Sequence, residues 1–163
     1  MIPFVGDISP ADADRVLALN LESEAVLSPM DASRYAQLLS QAAYARVVDL
    51  RYDGVIAFLL AFREGADYDS PNYRWFAERY DKFLYVDRVV VSHAWHGRGF
   101  GRLLYDDLFA FARTSGVPCI TCEFDIEPPN EASRRFHARY GFEEVGVQTL
   151  PKGKRVSLQL ARL

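Results

Sequence analysis

The chain is organised around residues 89–108, VVVSHAWHGRGFGRLLYDDL. An apolar strand signal at Val89, Val90 and Val91 runs into a short loop holding Gly97, Gly99 and Gly101, and the loop opens straight into an amphipathic helix. Glycines at such a junction let the backbone approach a ligand closely and leave N–H groups pointing outward. The first turn of the helix adds donors with no intrahelical partner and a partial positive charge. Together they form an anion site, and phosphate or pyrophosphate is the anion most often held this way.

The remaining elements can be read around it. Ser9-Pro10 predicts a helix over residues 10–20, Asp31 opens a second helix, and residues 21–30 form a loop or broken helix containing Glu22 and Glu24. Asp53-Gly54 between the apolar runs 44–50 and 55–62 predicts a hairpin. Residues 63–81 make a long connection with an aromatic group at Tyr73, Trp75, Phe76 and Tyr80, and Ser70-Pro71 predicts a short helix within it. A strand over 83–91, a helix over 99–115 stopped by Gly116, and a strand over 117–124 follow. Asn130 caps a helix that runs to Tyr140 and is closed by Gly141, and two strands, 142–150 and 155–160, complete the chain. The expected order is β–α–α–β–β–insert–β–α–β–α–β–β in one mixed sheet, and 163 residues suggest a single domain over residues 1–163.

Bulk chemistry excludes several classes. A net charge of −3 favours neither nucleic acid nor an anionic membrane surface. No apolar run approaches the roughly 20 residues needed to cross a bilayer, so no membrane partner is expected and a cytoplasmic location is the default. Cys119 and Cys122 form a C-x-x-C, but on a strand an i,i+3 pair points to opposite faces, so neither a disulfide nor a metal pair is expected. His93 and His96 lack a third ligand in view, and no metal is expected there.

The glycine loop fails two phosphate-binding patterns. A dinucleotide fingerprint counted from Gly97 or Gly99 meets Arg102 or Leu104 where Gly or Ala is needed, and no Lys-Ser/Thr follows for a Walker loop. His96-Gly97-Arg98-Gly99-Phe100-Gly101 instead resembles the acetyl-CoA loop [Q/R]-x-x-G-x-[G/A] of the GNAT acetyltransferases. The stretch from Asn130 through Ser133, Phe136, His137 and Tyr140 to Gly141-Phe142 is similar to the helix N-x-x-A-x-x-[FL]-Y-x-x-x-G-F of the same family. His96 stands where Gln or Arg is commonest, and His137 where Tyr is.

The resemblance implies the GNAT acyl-CoA N-acyltransferase fold, a mixed, mostly antiparallel sheet of six to seven strands flanked by helices. It implies acetyl-CoA as cosubstrate and an amine as acceptor, with acetyl transfer by direct attack. Residues 97–102 (Gly97, Arg98, Gly99, Phe100, Gly101 and Arg102) would hold the CoA pyrophosphate, with His96 beside them. The backbone at Val89, Val90 and Val91 would lie along the pantetheine arm, with the Val91 N–H donating to the acetyl carbonyl. Asn130, Ser133 and Phe136 would complete the coenzyme contacts. His137 would supply the proton to the departing thiolate; the alternative is a helix histidine bonded to a backbone carbonyl.

Strand alternation places Tyr85, Asp87, Val89 and Val91 on one face, which makes Asp87 the candidate base, with Arg88 pointing the other way. A carboxylate among apolar neighbours would have its pKa raised. Glu123 and Glu24 are alternatives, and both are candidates for the acceptor side. Tyr73 and Trp75, with Tyr68 and Phe76, are candidates for a wall around the acceptor; packing on the sheet or on a second subunit, as in a homodimer, is the competing reading. The acceptor could be a small amine or a protein amine, and a protein that binds acyl-CoA without chemistry is the remaining alternative.

Overall fold

The computed structural model describes residues 2–25 and 27–163. The chain divides into two compact units, residues up to Phe62 with Val86–Phe111, and Arg63–Tyr85 with Ala112–Leu163.

The first unit is built on β3 (Gly54–Arg63), where every residue from Val55 to Phe62 is buried. A run that is apolar on both faces can be stable only when both faces are covered. β1 (Phe4–Asp7) pairs antiparallel with β2 (Tyr44–Leu50), and β2 pairs antiparallel with β3. The hairpin turns at Asp53-Gly54, and Gly54 takes a left-handed φ of 74° that a Cβ would resist. α1 (Ala13–Glu22) follows a short 3-10 turn at Pro10–Asp12 and buries Val16, Leu19 and Asn20. Its Arg15 Nε donates to the Val55 carbonyl at 2.8 Å. α2 (Ala32–Gln41) starts where the Asp31 carboxylate accepts from the Arg34 N–H at 2.7 Å. β4 (Leu84–Val91) ends in this unit, and the Ser92 N–H just beyond it donates to the Ile56 carbonyl at 2.8 Å.

The second unit holds α3 (Pro71–Ala77), β5 (Cys119–Asp125), α5 (Glu131–Arg139), β6 (Glu143–Thr149) and β7 (Arg155–Arg162). β5 and β6 both pair antiparallel with β7, and the start of β4 runs parallel to β5 through Leu84–Ile120 and Tyr85–Thr121. α4 (Phe100–Thr114) buries Leu104, Tyr105 and Leu108 along one stripe. Among the described residues, seven strands lie in the order β1-β2-β3-β4-β5-β7-β6, a mixed and mostly antiparallel sheet accompanied by five α-helices. Cys119 and Cys122 are buried free thiols whose pKa values burial pushes up, so neither is poised as a nucleophile.

Candidate functional site

The glycine loop lies wholly in the first unit. β4 ends at Val91, a 3-10 turn occupies His93–Trp95, and the chain reaches α4 through Gly97 and Gly99, with φ of 74° and 84°. Both glycines face open space where a Cβ would stand, so the left-handed backbone, not crowding, is what requires glycine. The Leu103 N–H donates to the Gly99 carbonyl at 3.0 Å. The i→i−4 ladder of α4 therefore begins at Gly99, and the amides of Phe100, Gly101 and Arg102 lie ahead of it. An anion set against this turn meets main-chain donors and the positive end of a fifteen-residue helix. A CoA pyrophosphate fits that donor set.

Side chains buttress the loop. His96 Nε2 lies 2.7 Å from the Val91 carbonyl, which can only accept, so that nitrogen carries the proton. The Arg98 guanidinium stacks 4.7 Å from the centre of the Trp95 ring, and Trp95 meets Phe100 edge to face at 6.0 Å. Glu22, at the end of α1, accepts from the His93 N–H at 2.9 Å. Glu22 is the acidic residue that sequence reasoning passed over for Glu24, which is exposed just beyond the helix. Only the proximity of an α1 end to a loop seventy residues away could have revealed it.

Asp87 requires a correction. Arg88 does not turn away from it: Arg88 Nε donates to Asp87 Oδ2 at 2.7 Å, and both side chains are almost inaccessible, 4% and 6% exposed. Alternation sets the Cβ directions, but a guanidinium on a flexible stem can bend back to its neighbour. Asp87 thus sits among a buried cation and its partners, not among apolar neighbours alone. Val90 is buried, and Val89 and Val91 on the Asp87 side are half-buried.

In the second unit, α5 presents Ser133 and His137 one turn apart. The Asn130 side-chain carbonyl caps the helix, accepting from the Ser133 N–H at 3.1 Å. That oxygen is engaged by the helix, leaving the amide group as Asn130's donor for a ligand. His137 is 6% exposed, and its Nδ1 donates to the Ser133 carbonyl at 2.7 Å, with the Ser133 hydroxyl 3.2 Å away. Its ring is packed by Phe124, Phe136 and Phe142 at 5.8, 5.4 and 5.2 Å. Burial pushes its pKa below the usual value, and the hydrogen bond to Ser133 only partly opposes this. The acid role expected of His137 therefore meets two obstacles: the imidazole favours neutrality, and its one proton is held by a carbonyl. Nε2 is then an acceptor.

The aromatic insert folds inward. Tyr73 and Phe76 are buried and stack with Phe83 and Tyr85 at 5.6 to 6.3 Å between ring centres. The Tyr73 hydroxyl donates to the Arg63 carbonyl at 2.7 Å and accepts from the Ala66 N–H at 3.0 Å. Tyr73 is thus a core residue and not a wall of an acceptor site. Trp75 is half-buried beneath the Arg79 guanidinium, 4.0 Å from the ring centre, and a Cβ at Gly146 would collide with it. Glu123 accepts from the Tyr85 hydroxyl. The same unit carries a cavity of about 380 Å³ whose lining includes Phe124, Asn130, Phe142 and Glu144. In that lining Gln159 donates to the Ser157 hydroxyl, which donates to the Glu144 carboxylate. Among the described residues no group of three or more His, Cys, Asp or Glu is arranged to hold a metal, and no helix is long and apolar enough to cross a membrane.

A strand followed by a left-handed glycine pair and a helix N-terminus, within a mixed, mostly antiparallel sheet, defines an α/β protein whose loop offers main-chain donors of the kind that suit an anion. Residues 15–142 match the acetyltransferase (GNAT) family, and the chain belongs to it. A phosphinothricin N-acetyltransferase of Streptomyces coelicolor is 42% identical over 59 residues, a match covering 36% of this chain and about one third (33%) of that relative's length. Among solved structures, Ard1 from Thermoplasma volcanium aligns with a TM-score of 0.80 at 13% identity, covering 100% of this chain and 99% of that one. Arabidopsis thaliana NAA60 in complex with acetyl-CoA aligns at 0.76 with 14% identity, covering 99% and 100%. At these identities the structures share the fold.

Proposed function

We propose that the chain is an acetyl-CoA-dependent N-acetyltransferase that acetylates the primary amine of a small molecule by direct attack. The observation that carries this reading is the pair of left-handed glycines ahead of α4, which sets main-chain amides ahead of the helix ladder, where a diphosphate would lie. The small-molecule acceptor is supported by the similarity to the phosphinothricin N-acetyltransferase.

Bound acetyl-CoA would supply an acetyl thioester. The amides of residues 97–102 would hold the diphosphate, and the main chain at Val89–Val91 would orient the pantetheine, with the Val91 N–H as the donor for the acetyl oxygen. Asp87 would take the proton that the acceptor's ammonium must lose, directly or through water, before the neutral amine attacks the acetyl carbon; the C–S bond then breaks and CoA leaves as a thiolate that takes its proton from solvent. Asn130, through its amide group, Ser133 and Phe136 are the further coenzyme contacts that the family resemblance implies, while Glu24 and Glu123 are the acidic candidates for holding the acceptor's ammonium. His137, neutral at Nε2, positions the helix more than it gives a proton.

The test is thiol release from acetyl-CoA in the presence of a panel of primary amines that includes phosphinothricin and short peptides. Turnover with small amines is expected. Turnover of peptides alone would move the acceptor to a peptide terminus, and CoA binding without thiol release on any amine would leave a binding protein.

A further inference from the structure

Arg88 is one of the few charged residues buried in the chain, and its guanidinium ties together three stretches of the first unit. Nε donates to Asp87 on β4 at 2.7 Å. Nη1 donates to the Asn20 side-chain carbonyl near the end of α1 at 3.0 Å and to the Ser28 main-chain carbonyl at 3.3 Å, with the Met30 sulfur at 3.7 Å. Asn20 is itself fully buried, and its amide nitrogen donates to the same Ser28 carbonyl at 3.3 Å. Both ends of the Asn20 amide are therefore assigned by the network, and Ser28 is gripped twice.

The structure assigns Arg88 as a positioning residue: it fixes the rotamer of Asp87 and fastens residues 27–30 against β4, so that the proton acceptor and the segment following α1 are held as one rigid piece. This rests on the reading of Asp87 as the base. A buried cation this well bonded is not there for stability alone, because an ion pair of this kind seldom outweighs its desolvation cost. What it supplies is geometry. A planar fork can face Asp87 with one edge and Asn20 with another; an ammonium at the same place, a compact point charge, cannot match that fork. The two readings separate at this point: a clip that only stabilises tolerates any change that keeps the chain folded, whereas a positioning group loses function when the charge is kept and the fork is lost.

Three variants decide it, Arg88→Lys, Arg88→Gln and Asp87→Asn, each measured for stability, CoA affinity by calorimetry, hydrogen exchange at residues 27–30, and the pH profile of kcat/KM for an accepted amine. Arg88→Lys is expected to keep CoA affinity within twofold, to raise exchange at residues 27–30 at least tenfold, to lower kcat/KM for the amine at least tenfold, and to shift the acidic limb of the profile. Arg88→Gln should do the same more severely. Unchanged exchange in both Arg88 variants overturns the proposal whether or not an amine is turned over. So does a folded Arg88→Lys protein with faster exchange but wild-type kcat/KM and pH profile, because Arg88 is then a clip alone. Full activity in Asp87→Asn sinks the reading of the base instead, and it does so without touching the exchange result.

Discussion

The loop ahead of α4 and the helix α5 each carry half of the family resemblance, yet they meet their surroundings in opposite ways. The loop presents main-chain amides, and the left-handed turns at Gly97 and Gly99 keep those amides ahead of the helix ladder. α5 works through side chains, and its own fold uses them: Asn130 caps it, and His137 is bonded to Ser133 and packed by three phenylalanines. A site built from backbone depends on few side-chain identities, so His96 in place of Gln or Arg is expected to change affinity only modestly. A site built from side chains is hostage to every competing partner.

The sharpest way to test the contrast is to remove chemistry while keeping shape. Asp87→Asn preserves an acceptor for Arg88 but not the base, and kcat is expected to fall about a hundredfold or more in a single-turnover assay, the usual yield of general-base catalysis. Wild-type turnover would move the base elsewhere. Next comes the loop itself. Valine at both Gly97 and Gly99 forces two left-handed residues that cost about 1–2 kcal/mol each, so CoA affinity by calorimetry should drop about a hundredfold with the fold intact by circular dichroism. Affinity within threefold would break the claim that backbone direction holds the ligand.

A smaller effect is expected in the insert. Tyr73→Phe removes a hydroxyl that serves Arg63 and Ala66, so denaturant melting should show a loss of about 1–2 kcal/mol, with the amine KM unchanged. A raised KM without lost stability would return Tyr73 to the acceptor. The smallest is His137→Asn, whose amide can still donate to the Ser133 carbonyl: kcat should stay within about threefold, whereas a fall of about a hundredfold, the usual yield of an acid catalyst, would restore the acid role. The same variant carries a pH signature. The pKa of His137 is lower folded than unfolded, so the unfolded chain binds the proton first as pH falls. Its contribution is fully present above the unfolded value of about 6.5 and is lost as pH drops from there through the folded pKa. Stability should decline below that point in the parent and less steeply in His137→Asn.

Much of the fold was legible because local chemistry punctuates it. Asp31, Ser70 and Asn130 cap the helices they were expected to cap, each accepting from the N–H three residues on. Gly54, Gly116 and Gly141 take the left-handed turns where an element stops or a hairpin reverses. The order of elements after the first follows from those signals; a leading strand was expected in the order but tied to no residues, and β1 forms at Phe4–Asp7. What stayed hidden depends on partners far away in sequence. Tyr73 reads like a binding aromatic until Phe83 and Tyr85 are seen to enclose it. Arg88 reads as facing away because alternation describes Cβ and says nothing of where the side chain beyond it bends. Glu22 and Asn20 were invisible for the same reason: their partners, His93 and Arg88, lie about seventy residues on.

The account stands most directly on a calorimetric titration of the protein with CoA, run beside the Gly97→Val, Gly99→Val double variant. It predicts saturable one-to-one binding by the parent and a loss of about a hundredfold in the variant, two left-handed residues' worth of backbone strain. No heat with the parent, or equal affinity in both, would contradict it.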